Sequence, residues 1–155
     1  MRHGKKFNHL KRKAGHRKAL LQNLTISLIE HKRISTTIAK AKALRVYAEP
    51  IVTKCKSNTQ HSRRMVMSRL MNKHAVKELF GPIAEAIGDR PGGYLRVIKT
   101  GFRKSDGAEL AIIEFVDFNN DYASNTESKG KSKRSRRGKK ATKATPAPVN
   151  TKEEE

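Results

Sequence analysis

The chain has 155 residues, with 35 Lys plus Arg against 14 Asp plus Glu and a formal net charge of +21, far more positive charge than solubility requires. Cations at that density repel one another unless a polyanion neutralises them, so a nucleic acid is the expected partner. A membrane surface is not expected, because the basic ends lack the interleaved Leu, Phe and Trp of an inserting amphipathic helix.

The excess is concentrated at the ends. No acidic residue precedes Glu30, and residues 1–18 carry Arg2, Lys5, Lys6, Lys11, Arg12, Lys13, Arg17 and Lys18 together with His3, His9 and His16. This stretch is expected to be a basic binding arm. From His16 to His31 the apolar residues Leu20, Leu21, Leu24, Leu28 and Ile29 recur at three- and four-residue spacing, which predicts an amphipathic helix. The same stretch is interrupted by Gln22, Asn23, Thr25 and Ser27, so neither a signal peptide nor a membrane span is expected, and the chain reads as intracellular and cytoplasmic. The single cysteine, Cys55, permits no intramolecular disulfide and suits a reducing compartment.

Arg33 to Ile38 is β-branched enough to predict a short strand. A second helix follows on Ala41, Leu44, Tyr47, Ala48, Ile51, Val52 and Cys55, with a kink expected at Pro50, which has no N–H to give to Val46. Thr59 is the expected N-cap of a third helix through Asn72, and Val76, Leu79, Phe80, Ile83, Ala84 and Ile87 form a fourth stripe that Gly81 and Pro82 should split or bend. Tyr94 to Thr100 and Ala108 to Val116 then read as a hairpin.

These elements predict an α+β domain over residues 19–118, in the order α-β-α-α-α-β-β, with helices packed on one face of a small three-stranded mixed sheet. Beyond Phe118 the composition shifts to Asn, Ser, Lys, Arg, Thr, Ala and Pro, with nine bases and no acid from Lys129 to Lys143. Residues 119–155 are expected to be a low-complexity basic tail that cannot bury enough surface to offset its ordering entropy.

Residues with catalytic or metal-binding chemistry do not gather. There is no CxxC or HExxH spacing, Cys55 continues an apolar helix face, and Gly88 to Gly93 resembles half of a phosphate loop but has Tyr94 where Lys is required. The acids of residues 1–118 are scattered singly, so no catalytic residue, metal, cofactor or small-molecule substrate is expected.

What remains is cations in groups: Lys40, Lys42 and Arg45 on one helix; Arg63, Arg64 and Arg69 on another; Arg96, Lys99, Arg103 and Lys104 along the hairpin. With few aromatics beside them (Phe7, Tyr94, Phe102), they suit phosphate contact with a folded, mostly double-helical nucleic acid better than a stacking platform for single strands. A nucleoid-type, sequence-independent DNA-binding protein would fit the same charge.

Several strings occur together: Met1-Arg2-His3-Gly4, His16-Arg17-Lys18-Ala19, Thr36-Thr37, Lys40-Ala41-Lys42-Ala43-Leu44-Arg45, Glu49-Pro50-Ile51-Val52-Thr53, Gly92-Gly93-Tyr94-Leu95-Arg96-Val97-Ile98-Lys99 and Leu110-Ala111-Ile112-Ile113-Glu114-Phe115-Val116-Asp117. In this order, over residues 1–118, the chain resembles the bacterial ribosomal protein L seventeen family. The resemblance implies a non-enzymatic protein of the large ribosomal subunit that binds large-subunit ribosomal RNA, with a neighbouring ribosomal protein of family L thirty-two. Carried onto this chain, it puts Arg2, His3, Lys5, His16, Arg17, Lys18, Lys40, Lys42, Arg45, Arg64, Arg96, Lys99 and Arg103 against RNA; the charge pattern adds Lys6, Lys11, Arg12 and Arg63. One departure is Ser105, where the family pattern leads one to expect Gly.

Overall fold

A computed structural model of the chain describes Gly4 and residues 7–119. The order is α1 (Ala14–His31), β1 (Arg33–Thr37), α2 (Ile38–Lys56), α3 (Gln60–Leu70), α4 (Lys73–Glu78), a π-helical turn (Leu79–Ile83), α5 (Ala84–Ile87), β2 (Leu95–Phe102), β3 (Glu109–Phe115) and a closing 3-10 turn (Val116–Phe118). The α+β class and the run of elements agree with the sequence reading. The expected 119–155 tail lies, apart from Asn119, outside the described residues.

α2 is the central helix. Ala41, Leu44, Ala48, Ile51, Val52 and Cys55 are buried along one side of it, against α1, α3 and the sheet. Each buried Leu or Ile contributes roughly 1.5–3 kcal/mol of burial, so this stripe outweighs the missing hydrogen bond at Pro50, and the helix continues through that exposed residue to Lys56.

α1 stops where Lys32 turns into the left-handed region (φ 62°), a conformation unfavourable for a residue with a Cβ. Its N–H bonds to Leu28 O (2.8 Å), and its ammonium reaches Ile29 O and Glu78 Oε1, both at 2.6 Å. α3 starts on Thr59 as expected: Thr59 Oγ1 accepts from the Ser62 N–H while Ser62 Oγ accepts from the Thr59 N–H, an arrangement worth about 1 kcal/mol. α3 ends at Leu70, two residues before Asn72, because Met71 is left-handed and Asn72 caps α4 through the Ala75 N–H. The fourth stripe bends at Gly81 (φ −104°, ψ −109°), inside the π turn that carries Pro82.

The sheet order is β1-β3-β2, and both pairings are antiparallel. The expected mixed sheet is therefore corrected to an antiparallel one. β1 adds to the free edge of β3 and runs against it, so the two strands that share a direction, β1 and β2, never touch. β3 takes the middle because it is the most apolar strand, with Ala111, Ile113 and Phe115 in the core. A register shift between Lys99 and Gly101 marks a bulge, and Gly101 supplies its positive φ of 110°. The hairpin loop closes through Gly107 (φ 63°); Ser105 keeps a negative φ, so the loop has no need of glycine there.

Candidate nucleic-acid interface

Ahead of α1 the chain folds back on itself. Asn8 Oδ1 accepts from the Leu10 N–H (3.2 Å) and the Arg12 N–H reaches His9 O (3.0 Å). This turn puts Leu10 and Lys11 consecutively in the left-handed region (φ 53° and 52°), at a cost of about 1–2 kcal/mol each. Side chains hold it closed: the Arg12 guanidinium donates to Leu10 O (3.1 Å) and to His16 Nε2 (3.2 Å), and Arg17 donates to Arg12 O (3.3 Å). The Arg17 guanidinium also lies 4.9 Å above the Phe7 ring, which stacks on His9 with centroids 4.9 Å apart.

His16, Arg17 and Lys18, read from sequence as the end of the arm, belong to the first two turns of α1. Arg17 therefore shares with Lys42 of α2 a cleft of about 480 Å³ that Leu21, Val46 and Tyr47 also line. Burial raises the Tyr47 phenol above its usual pKa, and the Arg69 guanidinium partly opposes that shift. Arg45 borders a second cleft with Gly93 and Leu95, at the foot of β2.

The ion pairs sort the cations into two populations. Arg33 and Arg96 flank Glu114 (3.4 and 3.8 Å), Lys32 binds Glu78, Arg90 binds Asp117 at 2.5 Å, and Arg103 grips Asp106 through two bonds of 2.8 and 2.6 Å. Arg63 is also engaged, with two bonds to Asn58 Oδ1 (2.9 and 2.7 Å) and its guanidinium 5.1 Å from the Phe80 ring. By contrast Lys11, Lys18, Lys40, Lys42, Arg45, Arg64 and Lys99 enter no ion pair among the described residues. Glu78, Asp106, Glu114 and Asp117 are thus engaged by cations that hold strands, turns and helix ends, and the cations at the starts of α1 and α2 are left to outside charge.

The backbone adds to this. The first turns of α1 and α2 hold no acidic residue and their N-caps, Lys13 and Thr37, make no side-chain bond to them. Their N–H groups leave the positive end of each helix dipole available to an anion.

Of the residues singled out from sequence, Arg17 and Lys42 line the first cleft, and Arg12 and His16 bond to each other across the turn ahead of α1. Lys40 sits half-buried in the first turn of α2, Arg45 at the second cleft, Arg63 and Arg64 on α3, and Arg96, Lys99 and Arg103 along the hairpin. Arg2, His3, Lys5 and Lys6 lie outside the described residues. Phe7 and Val46 were not singled out as site residues; the available signal was an apolar Val46 falling off the buried stripe of α2, where it is 74% exposed.

The residues weighed for other chemistry behave differently. Cys55 is 1% exposed, and burial pushes its thiol up to about 11, the behaviour of a small hydrophobe. In the glycine-rich loop, the Gly93 N–H donates to the chain's own Glu49 carboxylate (3.3 Å). Among the described residues no three of His, Cys, Asp and Glu converge on a metal position, and no helix is long and apolar enough to cross a membrane.

Comparison with known proteins adds an independent line. Residues 20–116 match the family described as Ribosomal protein L17. The chain is 55% identical to the large ribosomal subunit protein bL17 of Flavobacterium psychrophilum, over 99% of this chain and 96% of the relative. It is 58% identical to the protein of the same name from Porphyromonas gingivalis, over 91% and 89%, and 56% identical to that of Bacteroides fragilis, over 95% and 91%.

Proposed function

Because this chain belongs to the ribosomal protein L17 family, a family of structural ribosomal proteins rather than enzymes, we propose that it works in the large subunit of the cytoplasmic ribosome by binding and clamping large-subunit ribosomal RNA. The observation that carries the binding mode is the division of its charges: Lys40, Lys42, Arg45 and Arg64 lack an internal counter-ion among the described residues, while Glu78, Asp106, Glu114 and Asp117 pair with other cations.

In this reading the start of α1, the start of α2 and α3 face the RNA backbone, with Arg2, His3, Lys5 and Lys6 extending the same field. Affinity comes from counterion release and phosphate hydrogen bonds, not base reading. Arg96 and Arg103 contribute less than Lys42 and Arg45, since each would have to share its guanidinium with an internal carboxylate. The remaining surface docks against neighbouring ribosomal proteins, among them the family L thirty-two protein suggested by the resemblance. Membership of a ribosomal family does not favour the nucleoid DNA-binding alternative.

Filter binding of the full chain to large-subunit RNA fragments across salt concentrations tests the mechanism. Log affinity should fall linearly with log salt, and Lys42→Glu with Arg45→Glu should lower the slope by about one per phosphate contact removed. A slope near zero, or a chain that sediments free of ribosomal particles in lysate, would overturn the reading.

A further inference from the structure

We propose that the cleft between the N-terminal turn and helices α1 and α2 is a pocket for one unstacked nucleobase, extruded from a bulge or loop of the RNA that the cationic face grips. The proposal rests on the RNA-binding reading above and deepens it, because it adds a contact to a base where phosphate contacts alone were expected.

The first observation is an apolar surface left open to solvent. Phe7 is 58% and Val46 74% exposed, on a chain with few aromatic residues. Both line the same cleft, with Leu21 and Tyr47 beneath them. Val46 lies on the opposite side of α2 from Ala48 and Val52, so the core does not account for it.

The second is the rim. Among the described residues, the charged ones that line the cleft are Arg17 and Lys42, with no acid beside them. An apolar protein segment would gain nothing from two cations at its edge, whereas a nucleotide brings a flat aromatic base for the floor and a phosphate on each side for the rim. The volume of about 480 Å³ falls among small-ligand sites, roughly 300–1,000 Å³.

The third is preorganisation. Phe7 is held from two sides, by the His9 ring stacked at 4.9 Å and by the Arg17 guanidinium at 4.9 Å, and the turn behind it uses two left-handed residues, Leu10 and Lys11. Unfavourable backbone at two consecutive residues is retained where the surroundings over-determine it. Here the effect of the turn is to lay an aromatic ring against the mouth of a cationic cleft instead of leaving it on a loose arm.

The test compares two RNA hairpins of equal length and charge, one fully paired and one carrying a single bulged adenine replaced by 2-aminopurine. The full chain should bind the bulged hairpin about tenfold more tightly, with a change in 2-aminopurine fluorescence, since a base moved from water against Val46, Tyr47 and the open edge of Phe7 buries apolar surface on both partners, and about 55 Å² of it accounts for an effect of that order. Phe7→Ala should bring the bulged hairpin down to the affinity of the paired one, Phe7→Tyr should preserve the preference, and neither should change the salt slope. Equal affinity for the two hairpins, with a normal salt slope, overturns the pocket and leaves the phosphate-binding reading standing. No salt-dependent binding to either hairpin removes both. Concentration-dependent dimerisation abolished by Val46→Lys would assign the cleft to a second copy of the chain and equally overturn the proposal.

Discussion

Arg33 Nε lies 3.4 Å from Glu114 Oε2, across the β1–β3 pairing in which these two residues stand opposite each other. Arg96 stands opposite the same glutamate from β2, with Nη1 3.8 Å from Oε1. Asn119 Nδ2 donates to Oε2 at 2.9 Å, and the carboxylate ends up 1% exposed although it points away from the helices. One acid in the central strand thus ties both edge strands and the end of the body to itself.

Replacing that acid with its neutral isostere, Glu114→Gln, keeps the volume and removes the charge. Losing one member of a buried pair costs up to about 3–5 kcal/mol. Arg33 and Arg96 remain 53% and 36% exposed and water can take over their solvation, so about 1–3 kcal/mol is expected. The urea midpoint should fall with an unchanged m value. An unaltered midpoint would show that charge at Glu114 does not hold β1 and β2 to β3.

Cys55 should behave as a protected, protonated thiol. Burial raises its pKa to about 11 against roughly 8.5 in an unfolded chain. A raised value means that the stabilisation is complete below pH about 8.5 and is lost as pH climbs through about 11. At pH 8 the native protein should react with a disulfide reagent only as fast as it opens, and at once in denaturant. Immediate reaction of the folded protein would contradict the burial.

Asp106 gives the opposite sign. The Arg103 guanidinium, and then the Ala108 N–H, hold its carboxyl at about 2, below the usual value of roughly 3.9. A depressed pKa places the benefit above pH about 4, to be lost as pH falls through about 2. A carboxyl-carbon NMR titration should find the midpoint near 2 for Asp106, and Arg103→Gln should move it back toward about 4. A midpoint near 4 in the unaltered chain would show that the loop clamp does not persist in solution.

The body should stand without the tail, and its last contact is specific. Removing residues 120–155 leaves the Asn119–Glu114 bond in place, so the thermal midpoint should not change. Removing residues 119–155 deletes that bond, and the midpoint should drop by what about 1 kcal/mol produces in a domain of this size, roughly 4–8 °C. A truncation at 120 that no longer gives folded protein would place the boundary elsewhere.

The elements that depend on neighbours in sequence were legible without the structure. The three- and four-residue spacing from Leu20 to Ile29 and from Ala41 to Cys55 marked α1 and α2, Thr59 marked the start of α3, and the β-branched run from Arg33 marked β1. Each follows from local backbone preference and from which side of a short segment must leave water. The net charge, too, already pointed to a polyanion. What the chain order could not contain is which strand edge accepts β1, and with it the antiparallel pairing that brings Arg33 and Arg96 to Glu114 from 81 and 18 residues away. The same holds for the cleft, where Phe7, Arg17 and Lys42 meet only because the turn at Leu10 and the packing of α1 on α2 bring them together. Which cations are spent on internal acids and which are left without one is decided by distances of a few ångströms, and only tertiary packing sets those.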